Sequence, residues 1–451
     1  RAADRMTFKE WLREVATLRK AIKINFRSTD VVHPVLEYLH ASQFDPHSPV
    51  LDYPLILHAD VFRSPHSIEN SVDPSVFVKR TESLFPDATL SLGWTKQANF
   101  TEIEEKHKRL SWRQLLNILE YVARLDQPVM LSIRLTVAAN SKEQLLWLLG
   151  MEKQLSLLIW SDEHDTVDDW APIFELRRIA TKNRVLYDLL EDHRKILQSA
   201  SADPIPVAPS FHPSSWRSVV FSSSSSQLST VVLSQKGPAF IGRPTALLVS
   251  HSPPPAFPGE QKVEGRIRFL PKKATRGQLV DDEAGVVIYL VDKLNDIQSP
   301  KIDNAIEVYI GHDGRITVER KEKMRKGKDK DGYERKATGQ VAPSHCYDFE
   351  VIDVGWRVTV EVQPVECDSH AKKSLLAIPT LASFVSEAPP PAFIQLETPI
   401  HRSRSLRSVA VAKRGDSSMD FLLERLSHSS AFPPSFILPL LLLLILSCLL
   451  L

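Results

Sequence analysis

The first 190 residues carry six short apolar runs whose starts lie roughly 27 to 40 residues apart, with helix-patterned stretches in most of the gaps. The runs are Ile22–Phe26, Pro54–Val61, Thr89–Thr95, Val129–Thr136, Ser156–Ser161 and Arg184–Leu190. Parallel strands need long crossover connections, and a helix supplies one, so this alternation predicts βα units and a parallel sheet. A closed βα barrel has eight strands, with its working groups at the strand C-termini. Residues 1–198 are therefore expected to form a TIM-like barrel lacking its first two strands.

Helix signals sit between the runs. Ser111-Trp112-Arg113-Gln114 is a capping box that opens the apolar face Leu115, Leu116, Leu119 and Val122. Asn140-Ser141-Lys142-Glu143 starts another helix, which Gly150 can close.

Residues 199–214 are rich in Ser, Pro and Ala and predict a linker. From 215 to 386 the period changes to two, and turn residues separate many short strands with no helices between them. That pattern predicts an antiparallel β-sandwich, so the fold class is α/β plus all-β. Residues 387–427 open on Glu387-Ala388-Pro389-Pro390-Pro391 and are expected to form a Pro/Ser-rich stalk; residues 428–451 form a hydrophobic tail.

The tail bears on location. Phe436–Leu451 is a nearly unbroken apolar run of sixteen residues. As a helix it would rise about 24 Å, short of the roughly 30 Å hydrocarbon core. A lipid-anchor signal, with Ser427 as attachment site and a short polar spacer, fits the run; a single C-terminal membrane helix is the alternative. Either places the protein on the extracellular face of the plasma membrane. Three cysteines are too few for a disulfide scaffold, and Cys448 lies in the tail. Cys346 and Cys367 flank a predicted hairpin and can pair in an oxidising compartment.

Lys+Arg 56 against Asp+Glu 55 leaves no basic field, so no nucleic-acid partner is expected. Locally, Arg320–Lys336 holds nine basic and four acidic residues, and could meet polyanionic glycans. Asn99-Phe100-Thr101 is a glycosylation sequon. Arg404-Ser405-Leu406-Arg407 fits a minimal furin-type processing site, and Arg414-Gly415-Asp416 is an integrin-like tripeptide.

Strand ends and the loops after them supply the candidate pocket: Lys23, His58, Asp60, Trp94, Arg134 and Trp160. Lys23 and Arg134 could hold an anionic group, His58 and Asp60 could work as acid, base or metal ligand, and the tryptophans could wall a pocket.

Ile22-Lys23-Ile24-Asn25-Phe26-Arg27-Ser28, His58-Ala59-Asp60-Val61, Leu90-Ser91-Leu92-Gly93-Trp94-Thr95, Ser132-Ile133-Arg134, Ser156–Ser161 and Arg184–Asp188 form an ordered series over about residues 7 to 195. In that order they resemble the menorin family, whose domain looks like the glycerophosphodiester phosphodiesterase barrels. The resemblance implies a metal-binding His and an acidic pair on two leading strands, to which no residue here is assigned. Asn25 stands where the family commonly has an acid, and His58 where Asn is usual; Lys23, Asp60, Trp94, Arg134 and Trp160 match.

Three functions follow as expectations. The first is a non-catalytic cell-surface protein that binds cell-surface protein partners and attaches to the membrane through its tail, with no cofactor. The alternative is a metal-dependent phosphodiesterase using Mg²⁺ or Ca²⁺ on phospholipid-like diesters. The second alternative is carbohydrate binding through the β domain.

Overall fold

The computed structural model describes residues 6–431 except 19, 45–53, 64–70, 96–108, 124, 152–154, 180–183, 202, 206–208, 222–228, 245, 252–258, 273–282, 292–301, 303–304, 322–335, 368–391, 400–406 and 416–418. Asn99, Asp416, most of the basic segment and the apolar run 436–451 lie outside the described residues. The chain divides into two compact units, 1–208 and 209–451.

The first unit alternates helix and strand in the order α1 (Phe8–Thr17), β1 (Ile22–Phe26), α2 (Val32–Ser42), β2 (Leu55–Phe62), α3 (Pro74–Leu84), β3 (Thr89–Trp94) and α4 (Trp112–Val122). It continues with β4 (Val129–Arg134), α5 (Leu135–Ala139), α6 (Lys142–Leu149), β5 (Leu155–Trp160), α7 (Ala171–Ile179), β6 (Val185–Asp188) and α8 (Glu191–Ser199). Local chemistry sets the helix starts. In α4 the Ser111 hydroxyl accepts from Gln114 N at 3.2 Å while Ser111 N donates back to Gln114 Oε1 at 2.8 Å.

The six strands form one parallel sheet in sequential order, β1-β2-β3-β4-β5-β6. Successive side chains alternate between faces. One face carries Ile22, Ile24, Phe26, Leu57, Ala59, Leu90, Leu92, Leu131, Ile133, Leu157 and Ile159, all buried together with Leu36, Leu39, Phe77, Leu115, Leu119 and Ile173 of the helices. Each of the Leu, Ile and Phe side chains among them contributes about 1.5–3 kcal/mol of burial. The other face carries Lys23, Asn25, His58, Asp60, Ser91, Ser132 and Arg134 among the apolar Ile56, Met130 and Leu158.

The expected TIM-like barrel is corrected here. The sheet is an open half-barrel: among the described residues β1 pairs only with β2, and β6 only with β5. Alternating periods encode parallel strands with helical crossovers, but closure requires a pairing between strands remote in sequence, which no local period specifies.

The second unit is all-β: β7 (Trp216–Val220), β8 (Ser229–Val232), β9 (Ala239–Gly242), β10 (Ala246–Ser250), β11 (Glu260–Pro271), β12 (Gly285–Val291), β13 (Ala305–Gly311) and β14 (Arg315–Lys321). Then come β15 (Lys336–Gln340), β16 (Cys346–Asp353), β17 (Arg357–Val365), β18 (Ile394–Pro399), β19 (Ser408–Arg414) and β20 (Met419–Ala431). They build two seven-stranded sheets, β15-β14-β13-β12-β19-β10-β7 and β18-β17-β16-β11-β20-β9-β8. Both face one core, with Leu248, Val286, Ile288, Val308 and Val411 from the first and Val263, Ile267, Phe349, Val360 and Phe421 from the second.

The stalk expected over 387–427 is also corrected. It contains β18 and β19 and most of β20; β19 lies between β12 and β10, and β20 between β11 and β9. Arg407, the last residue of the processing-type motif, is 1% exposed and ion-paired with Asp353. Serine- and proline-rich composition suggested solvated chain, yet Ser408–Ala412 and Phe421–Leu423 carry the apolar residues that complete the sandwich core.

Candidate functional site

The parallel sheet register assembles the polar face row by row. Asn25, His58 and Ser91 are neighbours across β1–β3. One row nearer the strand C-termini are Asp60, Gly93 and Ser132 across β2–β4. The next holds Arg134, Trp160 and Asp188 across β4–β6. Five of the six candidate pocket residues therefore share this face, because each is an even step from its strand neighbours' polar positions. Trp94, at the end of β3 past a register shift, instead tilts against Phe62 with ring centroids 5.1 Å apart.

His58 is held from both sides. Its Nδ1 shares a hydrogen bond with the Ser91 hydroxyl at 2.9 Å, and its Nε2 lies 3.4 Å from Asp60 Oδ1. Gly93 makes the arrangement possible: a Cβ there would lie 2.5 Å from Asp60 Oδ1 and 3.0 Å from His58 Cε1. The Leu-Ser-Leu-Gly-Trp-Thr segment thus supplies both a hydrogen-bond partner and the space the His58–Asp60 pair occupies.

Lys23 joins this group electrostatically. Desolvation lowers its pKa below the ordinary lysine value, while the carboxylates of Asp188 and then Asp60 pull it back. In a flat sheet, five strand spacings would separate β1 from β6 by about 24 Å. That distance would be screened at a Debye length of about 8 Å. The sheet therefore curls toward its polar face and brings its two edge strands' charges together.

Arg134 has a partner the sequence did not reveal. Its Nε donates to Asp165 Oδ1 at 2.6 Å, and Asp165 is almost fully buried. Asp165 Oδ2 in turn accepts from Asp162 N at 2.9 Å, closing the loop after β5. The Arg134 guanidinium also stands 5.8 Å from the Trp160 ring centre. The acid-rich stretch Asp162-Glu163-His164-Asp165 was the available signal, but nothing local distinguishes the buried acid from the exposed ones.

The donor set of the described residues does not fit a resident Mg²⁺ or Ca²⁺. Among the described residues no three His, Cys, Asp or Glu side chains converge to hold a metal. Asp60 and Asp188 act electrostatically on the Lys23 ammonium, and both ring nitrogens of His58 are engaged.

The remaining sequence candidates lie in the second unit. Cys346 and Cys367 are disulfide-bonded with Cα atoms 5.4 Å apart. Ser427 sits inside β20 opposite Glu264, to whose carboxylate its hydroxyl donates at 3.2 Å. Attachment of a lipid there would remove His428–Ala431, which pair with β11; this corrects Ser427 as an anchor site. Arg414 ends β19, with its guanidinium 2.8 Å from Glu307 and 5.0 Å from the Tyr309 ring centre. Gly415 follows at φ 87°, and Asp416 lies outside the described residues.

Comparison with known proteins adds lineage. The menorin N-terminal domain model matches residues 1–194, and the menorin C-terminal domain model matches residues 216–428. Protein FAM151B of Homo sapiens is 34% identical over 188 residues, covering 41% of this chain and 64% of the relative, so the match spans under two thirds of that protein. Among solved structures, a legume lectin-like domain from Entamoeba histolytica is 9% identical, covers 49% of this chain and 91% of its own, and has a TM-score of 0.29. The metal-free exoplasmic/lumenal domain of VIP36 is 16% identical, with 49% and 85% coverage and a TM-score of 0.29. Matched by the family's models in both of its units, the chain belongs to the menorin family.

Proposed function

We propose that this chain is a recognition protein of the extracellular face of the plasma membrane, binding cell-surface protein partners without turnover. One observation carries the reading: charges on the polar face of the half-barrel are compensated in place. The Lys23 ammonium is stabilised electrostatically by Asp188 and Asp60, His58 is held by Ser91 and Asp60, and Arg134 is tied to Asp165. Groups so engaged present a fixed pattern of donors, acceptors and the Trp160 ring, which suits binding. Among the described residues of this face, these groups leave no free general base beside an unshared cation.

The Cys346–Cys367 bond supports an oxidising compartment. Attachment to the membrane through the apolar run 436–451 is part of the proposal. Among the described residues no helix is long and apolar enough to cross a membrane.

The test compares two assays on the purified chain. Binding to intact cells should be saturable, be abolished by prior trypsin treatment of those cells, and weaken in Lys23→Ala or Trp160→Ala. Steady hydrolysis of glycerophosphocholine in Mg²⁺ or Ca²⁺, lowered by Lys23→Ala, would instead establish the phosphodiesterase alternative.

A further inference from the structure

A separate groove of about 370 Å³ lies in the second unit, on the face of the β18-β17-β16-β11-β20 sheet that points away from the core. That volume is in the range of small-ligand sites. Val263, Phe349, Val351, Val360 and Val362 face inward, so alternation sends the residues between them outward. Glu264, Glu350 and Glu361 stand directly opposite one another on three adjacent strands. Like charges so placed repel.

Most of that charge is answered. Lys262 Nζ lies 2.7 Å from Glu264 and 2.8 Å from Glu350. In the next row Arg266 grips both oxygens of Asp348, at 2.7 and 3.0 Å. Arg425 adds a third contact to Asp348 at 3.3 Å. It does so from a β-bulge, where β20 places two residues opposite Gly265 and Arg425 takes φ 55°. Without the extra residue, alternation would send Arg425 toward the core; the bulge aims it into the groove.

Glu361 is different. It has no ion pair among the described residues, and it stands two positions from exposed Gln363 on the same strand face. The Phe393 ring, 48% exposed, closes that end of the groove.

From this arrangement we infer that the groove binds a neutral saccharide. Its carboxylates accept hydroxyl protons while Arg425 and the Gln363 amide donate to ring and hydroxyl oxygens. The Phe393 face offers an apolar platform for the C–H side of a pyranose. Compensation of Glu264, Glu350 and Asp348 removes the field that would demand a multivalent cation. The site is independent of the half-barrel face.

The full chain is screened on a printed glycan array, then titrated by NMR with methyl α-D-mannopyranoside, methyl β-D-galactopyranoside, N-acetylglucosamine and choline chloride. At least one saccharide should saturate, and Phe393→Ala and Glu361→Gln should each weaken it about tenfold or more. Glu397→Gln, on the same sheet but outside the groove, should leave it unchanged, and matching thermal midpoints show that the variants are folded. Saccharide binding indifferent to both groove substitutions overturns the inference, as does choline alone saturating, or no saccharide binding at all.

Discussion

Arg407 Nη1 reaches both carboxylate oxygens of Asp353 at 3.1 Å, and both side chains are 1% exposed. Asp353 ends β16 in one sheet, and Arg407 immediately precedes β19 in the other, so the pair ties the two layers of the sandwich together. Asp353 also accepts from Gln261 Nε2 at 3.0 Å and from Gly355 N at 2.8 Å. Replacing Arg407 with Met would leave a buried carboxylate without its cation, at a cost of about 3–5 kcal/mol. Urea unfolding of the whole chain should show that loss in the transition of the second unit; an unchanged midpoint would mean the pair is not buried as described.

The same network runs on to His428, whose Nε2 lies 3.2 Å from Gln261 Oε1 and whose Nδ1 lies 2.7 Å from the Ser250 hydroxyl. Burial pushes its pKa down to about 4 from 6.5. The unfolded chain therefore takes up the proton first. The contribution is complete above pH 6.5 and is lost as the pH falls toward 4, in total roughly 3 kcal/mol. Thermal midpoints measured from pH 7 to 4 should fall more steeply in the native chain than in His428→Gln.

Gly93→Ala tests the close approach on the half-barrel face. A methyl group 2.5 Å from Asp60 Oδ1 must push the carboxylate away from His58. The expected loss is about 1–3 kcal/mol for the first unit. The His58 ring nitrogens, followed by NMR, should change their hydrogen-bonded shifts.

Curling of the parallel sheet predicts a coupling between its edges. Asp188→Asn should lower the Lys23 pKa further, because it removes the larger of the two attractions opposing desolvation. NMR titration of the Lys23 side chain reads the change directly. No shift would place β6 too far from β1 for the curl.

Reducing the Cys346–Cys367 bond should cost the second unit about 3 kcal/mol, as expected for a crosslink between residues 21 apart. Denaturation with and without dithiothreitol gives the difference, and Cys367→Ser should reproduce the reduced curve.

Much of the first unit was legible in the residues. All six strands fall at or within a few residues of their apolar runs, and the Ser111–Gln114 cap forms as its spacing requires. The alternating polar positions along each strand were visible too, which is why most of the candidate pocket lies on one face. Asp165 was not legible as the partner of Arg134, since burial depends on how a loop folds back over β5. The groove was missed altogether: Glu264, Glu350 and Glu361 are nearly a hundred residues apart at the extremes and meet only through strand pairing.

By itself, then, the sequence determined the local terms: which segments are strands or helices, where helices start, and which side chains share a face. Those follow from backbone period and from short-range capping, which act over a few residues. Tertiary structure alone decided how the six strands pair across the parallel sheet, that residues 408–431 become central strands rather than stalk, and that Arg407 finds Asp353. Each is a choice among strand edges and buried partners far apart in the chain, settled by which arrangement completes the core and leaves no buried charge unpaired.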